Sequence, residues 1–144
     1  MLKRYLVDEV TDTGAPRKQA FKLFAEASNW QNWCSVVRHA RLLNGDWRRG
    51  AFLLFVVDLP GLPPAPVVVK VYEYKENERI TWGLDTPVGR ILHRFTFLDD
   101  DNGNCRVHQE EWTEGLLTPL VGWPAGKVIH RFDTRFAAEY AAMF

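Results

Sequence analysis

Thiols are scarce in this chain: Cys34 and Cys105 are the only two in 144 residues. That is too few for a disulfide framework, and the expected setting is a reducing cytoplasm. Serine is equally rare. Ser28 and Ser35 are the only ones, and neither lies in a Gly-x-Ser-x-Gly turn, so a serine nucleophile of that kind is not expected. No Cys-x-x-Cys or His-Glu-x-x-His spacing is present to hold zinc, and no Gly-x-Gly-x-x-Gly loop to hold phosphate; the expectation is no metal and no cofactor. Charge of one sign is also missing. Eighteen Lys and Arg balance eighteen Asp and Glu, so no basic field favours a nucleic-acid partner. The longest apolar run, Ala51 to Val57, is far too short for a membrane span. The N-terminus alternates charge and hydrophobe where a signal peptide would carry an apolar block.

Rings are what the chain has in plenty: six Trp and nine Phe, which need either a large core or a pocket to line. At this length a single domain over 1–144 is expected. The first strand is predicted from Leu2 to Asp12, ending at Thr13-Gly14. Pro16 opens a helix to about Ala27, with Ala20, Phe21, Leu23, Phe24 and Ala27 as its apolar stripe. Ser28 or Asn29 can cap a second short helix carrying Trp30 and Trp33.

Six further strands are predicted: Val36 to Leu43, Ala51 to Asp58, Val67 to Lys75, Arg79 to Leu84, Gly89 to Leu98 and Cys105 to Glu114. Tight turns join several of them, which predicts an antiparallel meander. The segment Leu59 to Pro66 holds four prolines and is expected to be a stiff exposed loop, because proline removes a ladder donor. The run Asp99 to Asn104 invites a calcium reading, with Asn102, Asn104 and Glu111 at EF-hand offsets from Asp100. Cys105 stands where that loop needs Gly, however, and the flanks are strands, so a solvated turn is expected.

The last stretch carries the longest amphipathic pattern. Thr118 and Pro119 suit an N-cap and first position, and Gly122 and Pro124 are expected to interrupt the first turn, so the helix proper should start near Ala125. Val128, Ile129, Phe132, Phe136, Tyr140 and Met143 recur at helical spacing, with Lys127, His130, Arg131, Asp133 and Thr134 assigned mostly to the polar side. Glu139, close to the helix end, is assigned to the surface. On the strands, period-two alternation groups Leu53, Phe55 and Val57; Val69 and Val71; Ile80, Trp82 and Leu84; and His93, Phe95 and Phe97. On the last strand Val107, Gln109 and Glu111 share a phase, but Trp112 argues for the opposite face.

Strand, helix pair, six-strand meander and long terminal helix, in that order, resemble the helix-grip fold of the START-like (SRPBCC) superfamily. Residues carry the resemblance along the whole chain: Ala15-Pro16 before the first helix, Trp30 and Trp33 as a Trp-x-x-Trp, Gly50 opening a strand, and Arg79-Ile80-Thr81-Trp82. Glu111 and Gly115, ahead of the final helix, complete the set. The resemblance implies an α+β fold in which a curved antiparallel sheet of about seven strands grips the C-terminal helix around a ligand cavity. Its walls would be Leu53, Phe55, Val57, Val69, Val71, Ile80, Trp82, Phe95 and Val107 from the sheet. Val128, Ile129, Phe132 and Phe136 would come from the helix, with Trp33 closing one end. The same residues also suit a solid core.

Within such a cavity His93 could anchor a polar group or act as acid or base, joined by Gln109 and Glu111; it also suits a core histidine held by a neighbour. The scaffold hosts several functions. The leading expectation is a carrier or sensor of a small hydrophobic or amphipathic ligand such as a lipid or polyketide. A cyclase- or dehydratase-like enzyme using His93 and Glu111 is the second reading, and a partner-binding module of the chaperone-activator type is the third. Oligomeric state is left open.

Overall fold

The structure, a computed structural model, describes residues 3–116, 118 and 123–144, the side chains of 123 and 124 excepted. Seven strands form one antiparallel sheet: β1 (Lys3–Asp12), β2 (Val37–Leu42), β3 (Phe52–Val57), β4 (Ala65–Lys75), β5 (Arg79–Thr86), β6 (Gly89–Asp99) and β7 (Cys105–Gly115). Their order is β1-β7-β6-β5-β4-β3-β2. Strands 2 to 7 pair with their chain neighbours, and β1 closes onto β7. Register slips at Tyr5/Val7, Val37/His39 and Val71/Glu73 add the local bend and twist that a gripping sheet needs.

Two short helices, α1 (Arg17–Ala25) and α2 (Trp30–Trp33), follow β1 with a 3₁₀ turn (Ala27–Asn29) between them. Asn29 makes no capping bond to α2; its amide donates to Glu26 at 2.8 Å. The long helix α3 (Trp123–Ala141) spans roughly 28 Å at about 1.5 Å per residue. It lies in the concave face, where Phe132 meets Phe55 of β3 and Phe136 meets Phe95 of β6, with ring centroids 6.1 and 6.0 Å apart.

Several expectations need correcting. The helix begins at Trp123, before Ala125, because Pro124 falls in the first turn, where a missing N–H breaks no internal bond. It ends at Ala141, and Met143 is half exposed. Thr118 is itself helical, and its hydroxyl meets that of Thr113 at 3.0 Å; Leu2, Pro119 and Gly122 lie outside the described residues. Ala65 and Pro66 belong to β4, opposite Val57 and Val56 of β3. Pairing of β4 with β5 starts only at Lys70, so the N–H that Pro66 lacks would have had no partner on that side. The Asp99–Asn104 run is a turn, in which Asp100 Oδ1 accepts from the N–H groups of Asn102 and Asn104 at 2.8 and 2.9 Å.

On β7 the inward set is Val107, Gln109 and Glu111, all buried. Trp112 is buried too, but on the convex face. There Tyr5 lies 5.7 Å away, and Lys3 and Arg94 cover its ring at 4.8 Å each. Long cationic side chains hide a ring on an outer surface, which is why hydropathy misassigns that position.

Candidate functional site

The concave face is filled unevenly. Around Phe24 of α1 the rings of Trp30, Trp82, Phe95, Phe97, Phe136 and Tyr140 all lie within 4.6–6.0 Å. Tyr140 donates its hydroxyl to the Ala20 carbonyl, tying the end of α3 to α1. Toward the start of α3 the facing side chains are shorter, and a cavity of about 210 Å³ opens. Its walls are Phe55, Val57 and Leu59; Val67 and Val69; Trp82, Gly83 and Leu84; Ile91 and His93; Glu111; and Val128, Ile129, Phe132 and Asp133.

Of the residues expected to line a ligand site, Phe55, Val57, Val69, Trp82, His93, Glu111, Val128, Ile129 and Phe132 meet at this cavity. Leu53, Val71 and Ile80 do not reach it. They are fully buried elsewhere in the sheet. Trp33 packs on Phe136 and Tyr140 at 5.2 and 5.6 Å and closes the filled end instead. Phe95, Phe136, Val107 and Gln109 border only water-sized crevices deeper in the core.

One polar cluster interrupts the apolar wall. His93 Nδ1 lies 3.0 Å from Glu111 Oε1, and His93 Nε2 lies 2.9 Å from Gln109 Nε2 and 4.0 Å from Asp133 Oδ2. Nδ1 thus faces a carboxylate oxygen and Nε2 the side-chain amide of Gln109, whose Oε1 has no hydrogen-bond partner. The ring is gripped by Phe95 at 4.4 Å and Trp82 at 5.4 Å. All four polar residues are buried.

Asp133 was assigned to the polar side of the helix, and the structure corrects this: it is 1% exposed. The clue lay in the spacing, since Asp133 falls four residues after Ile129 and three before Phe136, on the same stripe. Burial, then the charge of Glu111 and a hydrogen bond with it, then the charge of Glu9, hold its carboxyl well above the ordinary aspartate value. The protonated form of Asp133 is thereby favoured. Leu59, Val67, Gly83, Leu84 and Ile91 were also not singled out as wall residues. Leu84 and Ile91 are cross-strand partners, and Leu59 stood in the segment expected to be exposed.

Burial pushes the Cys34 thiol up to about 12 and the Cys105 thiol to about 11, so neither supplies a thiolate near neutral pH. Glu139 is only partly exposed; it accepts from Ser35 Oγ at 2.6 Å and Ser35 N at 3.1 Å, and pairs with Arg135 at 3.5 Å.

Residues 6–142 match the sequence profile of a family described as polyketide cyclase / dehydrase and lipid transport. The chain belongs to that family. No curated protein matches the sequence. Among solved structures, this family member is similar to Ara h 8.0201, with a TM-score of 0.77 at 8% identity, covering 99% of this chain and 97% of that one. It is also similar to the Zhui aromatase/cyclase of a Streptomyces species, with a TM-score of 0.76 at 12% identity over 99% and 93% of the two chains. A START superfamily protein from Mycobacterium smegmatis gives a TM-score of 0.68 at 15% identity over 98% and 100%. At such identities these likenesses establish the helix-grip fold and leave function to the site. Among the described residues, no helix is long and apolar enough to cross a membrane.

Proposed function

We propose that this chain binds a small, mainly apolar molecule between the sheet and the first half of α3, as a carrier or sensor. The observation that carries this reading is the hollow itself: about 210 Å³ walled by apolar side chains, with polar groups confined to one cluster. Rigid apolar walls and a few convergent polar atoms are what orient such a ligand. Native mass spectrometry of freshly purified protein tests it. A retained small molecule is the expected result, and a protein that stays empty and whose melting temperature no hydrophobic compound raises would end the reading.

A second reading is favoured by His93, Glu111 and Asp133, which face one another across the cavity wall. An imidazole beside a carboxyl whose protonated form is favoured supplies a base and an acid within reach of one substrate. In a cyclase- or dehydratase-like reaction, the base would take a proton next to a carbonyl and the acid would protonate the departing hydroxyl. His93→Ala separates the two readings: an enzyme loses turnover with affinity kept, whereas a carrier shows no turnover to lose.

A further inference from the structure

The charges in the cavity wall say more about its occupant than its volume does. Among the described residues, none lining the hollow is Lys or Arg, while Glu111 and Asp133 both line it. Asp133 Oδ2 is buried with no hydrogen-bond partner; its closest cationic candidate is the His93 ring at 4.0 Å. One donor or acceptor atom from each of His93, Glu111 and Asp133 lies within 4.8 Å of the others. A buried carboxyl oxygen left unpaired is destabilising, and two carboxylates side by side more so, unless a cation or a proton joins them.

We propose that the occupant is a hydrophobic amine, its ammonium seated between Glu111 and Asp133 and its body against Phe55, Trp82 and Phe132. This rests on the reading of the cavity as a ligand site. An ammonium brings three N–H donors, enough for Asp133 Oδ2 and an oxygen of Glu111 together. The aromatic walls favour a cation further. A carboxylate or phosphate ligand would meet two acidic groups and no fixed positive charge. In the empty cavity the protonated form favoured at Asp133 takes the cation's place, so an arriving ammonium displaces that proton to solvent. The groups facing Asp133 are His93 of β6, Glu111 of β7 and Glu9 of β1, the last 3.9 Å from His130 of α3; none is a permanent cation.

Titration calorimetry of the full chain with three probes of one skeleton tests this: phenethylamine, 2-phenylethanol and 3-phenylpropionate. The amine is expected to bind at least about tenfold tighter than the alcohol, with the acid weakest. Its affinity should rise as pH climbs above the ordinary aspartate value, with protons released to the buffer on binding. Asp133→Asn should remove the proton release and most of the preference; if that variant does not fold, Glu111→Gln serves. Equal affinity for amine and alcohol, or no proton release, overturns the proposal while leaving the cavity a ligand site. Zn²⁺ bound by wild type and not by Asp133→Asn, without amine preference, overturns it in favour of a metal. No binding of any probe removes the cavity reading and the proposal together.

Discussion

The two halves of α3 lie on the same sheet and meet different surroundings. Its second half offers Phe136 and Tyr140 to a cluster of rings centred on Phe24, and the space there is full. Its first half offers Val128, Ile129, Phe132 and Asp133 to Val57, Val67, Val69, Gly83 and Ile91. Phe55 reaches Phe132 across the gap at 6.1 Å, but Val57, Val67 and Val69 beside it are short, and the hollow opens there. Large rings interlock at the filled end, and β-branched residues line much of the hollow. His93 marks the boundary, with its ring on Phe95 and its polar atoms at the hollow.

The largest expected contrast comes from truncating a ring at the filled end. Phe24→Ala should destabilise by about 3–5 kcal/mol, read as a lower urea midpoint at unchanged slope. Gly83→Ala probes the packing of β5 on β6 behind the cavity wall. A Cβ there would sit 2.2 Å from the Ile91 carbonyl oxygen and 2.8 Å from a Leu92 methyl. Since backbone has to move, a loss of about 1–3 kcal/mol is expected. A variant as stable as wild type would show that β5 and β6 separate more easily than the packing implies.

Asp133 gives a pH signature. The unfolded chain loses this proton near the ordinary value of 3.8, while the folded chain holds it to well above that. Across that window the native state binds more protons, so this residue's contribution to stability falls as pH rises, by at most about 1.4 kcal/mol per pH unit. Asp133→Asn should remove the slope, gaining on wild type as pH rises above the ordinary aspartate value. Parallel denaturation curves at several pH values check it, and identical slopes would contradict it.

Phe132→Ala should be milder than Phe24→Ala, about 1–2 kcal/mol, because its half-buried ring borders empty space. Ligand affinity should suffer more than the melt. Equal losses for the two phenylalanines would erase the contrast between the halves. Smallest of all is Arg90→Ala. It removes an ion pair to Glu114 of 2.7 Å on a partly exposed surface, and less than about 1 kcal/mol is expected.

Much of this architecture was legible in the chain. Alternation placed Phe55, Val69, Trp82, His93 and Phe95 on the concave face, and helical spacing placed Phe132 and Phe136 opposite them. Where legibility failed, the reasons are specific. Trp112 is buried by Lys3 and Arg94 rather than by the core, and local pattern does not register such cover. Asp133 was judged by its chemistry instead of its angular position. Leu59 was judged by its prolines, yet it is 3% exposed against the cavity.

Sequence alone determined which residues face inward, because the two-residue period of a strand and the 3.6-residue period of a helix are set by local backbone geometry. Which inward residues touch one another, and which border a void, was decided only by the folded chain. That outcome depends on how long each side chain is against the one opposite, and the opposite residue comes from a distant part of the sequence. His93, Glu111 and Asp133 stand on three different elements. Only closure of the sheet over α3 brings them together as a site.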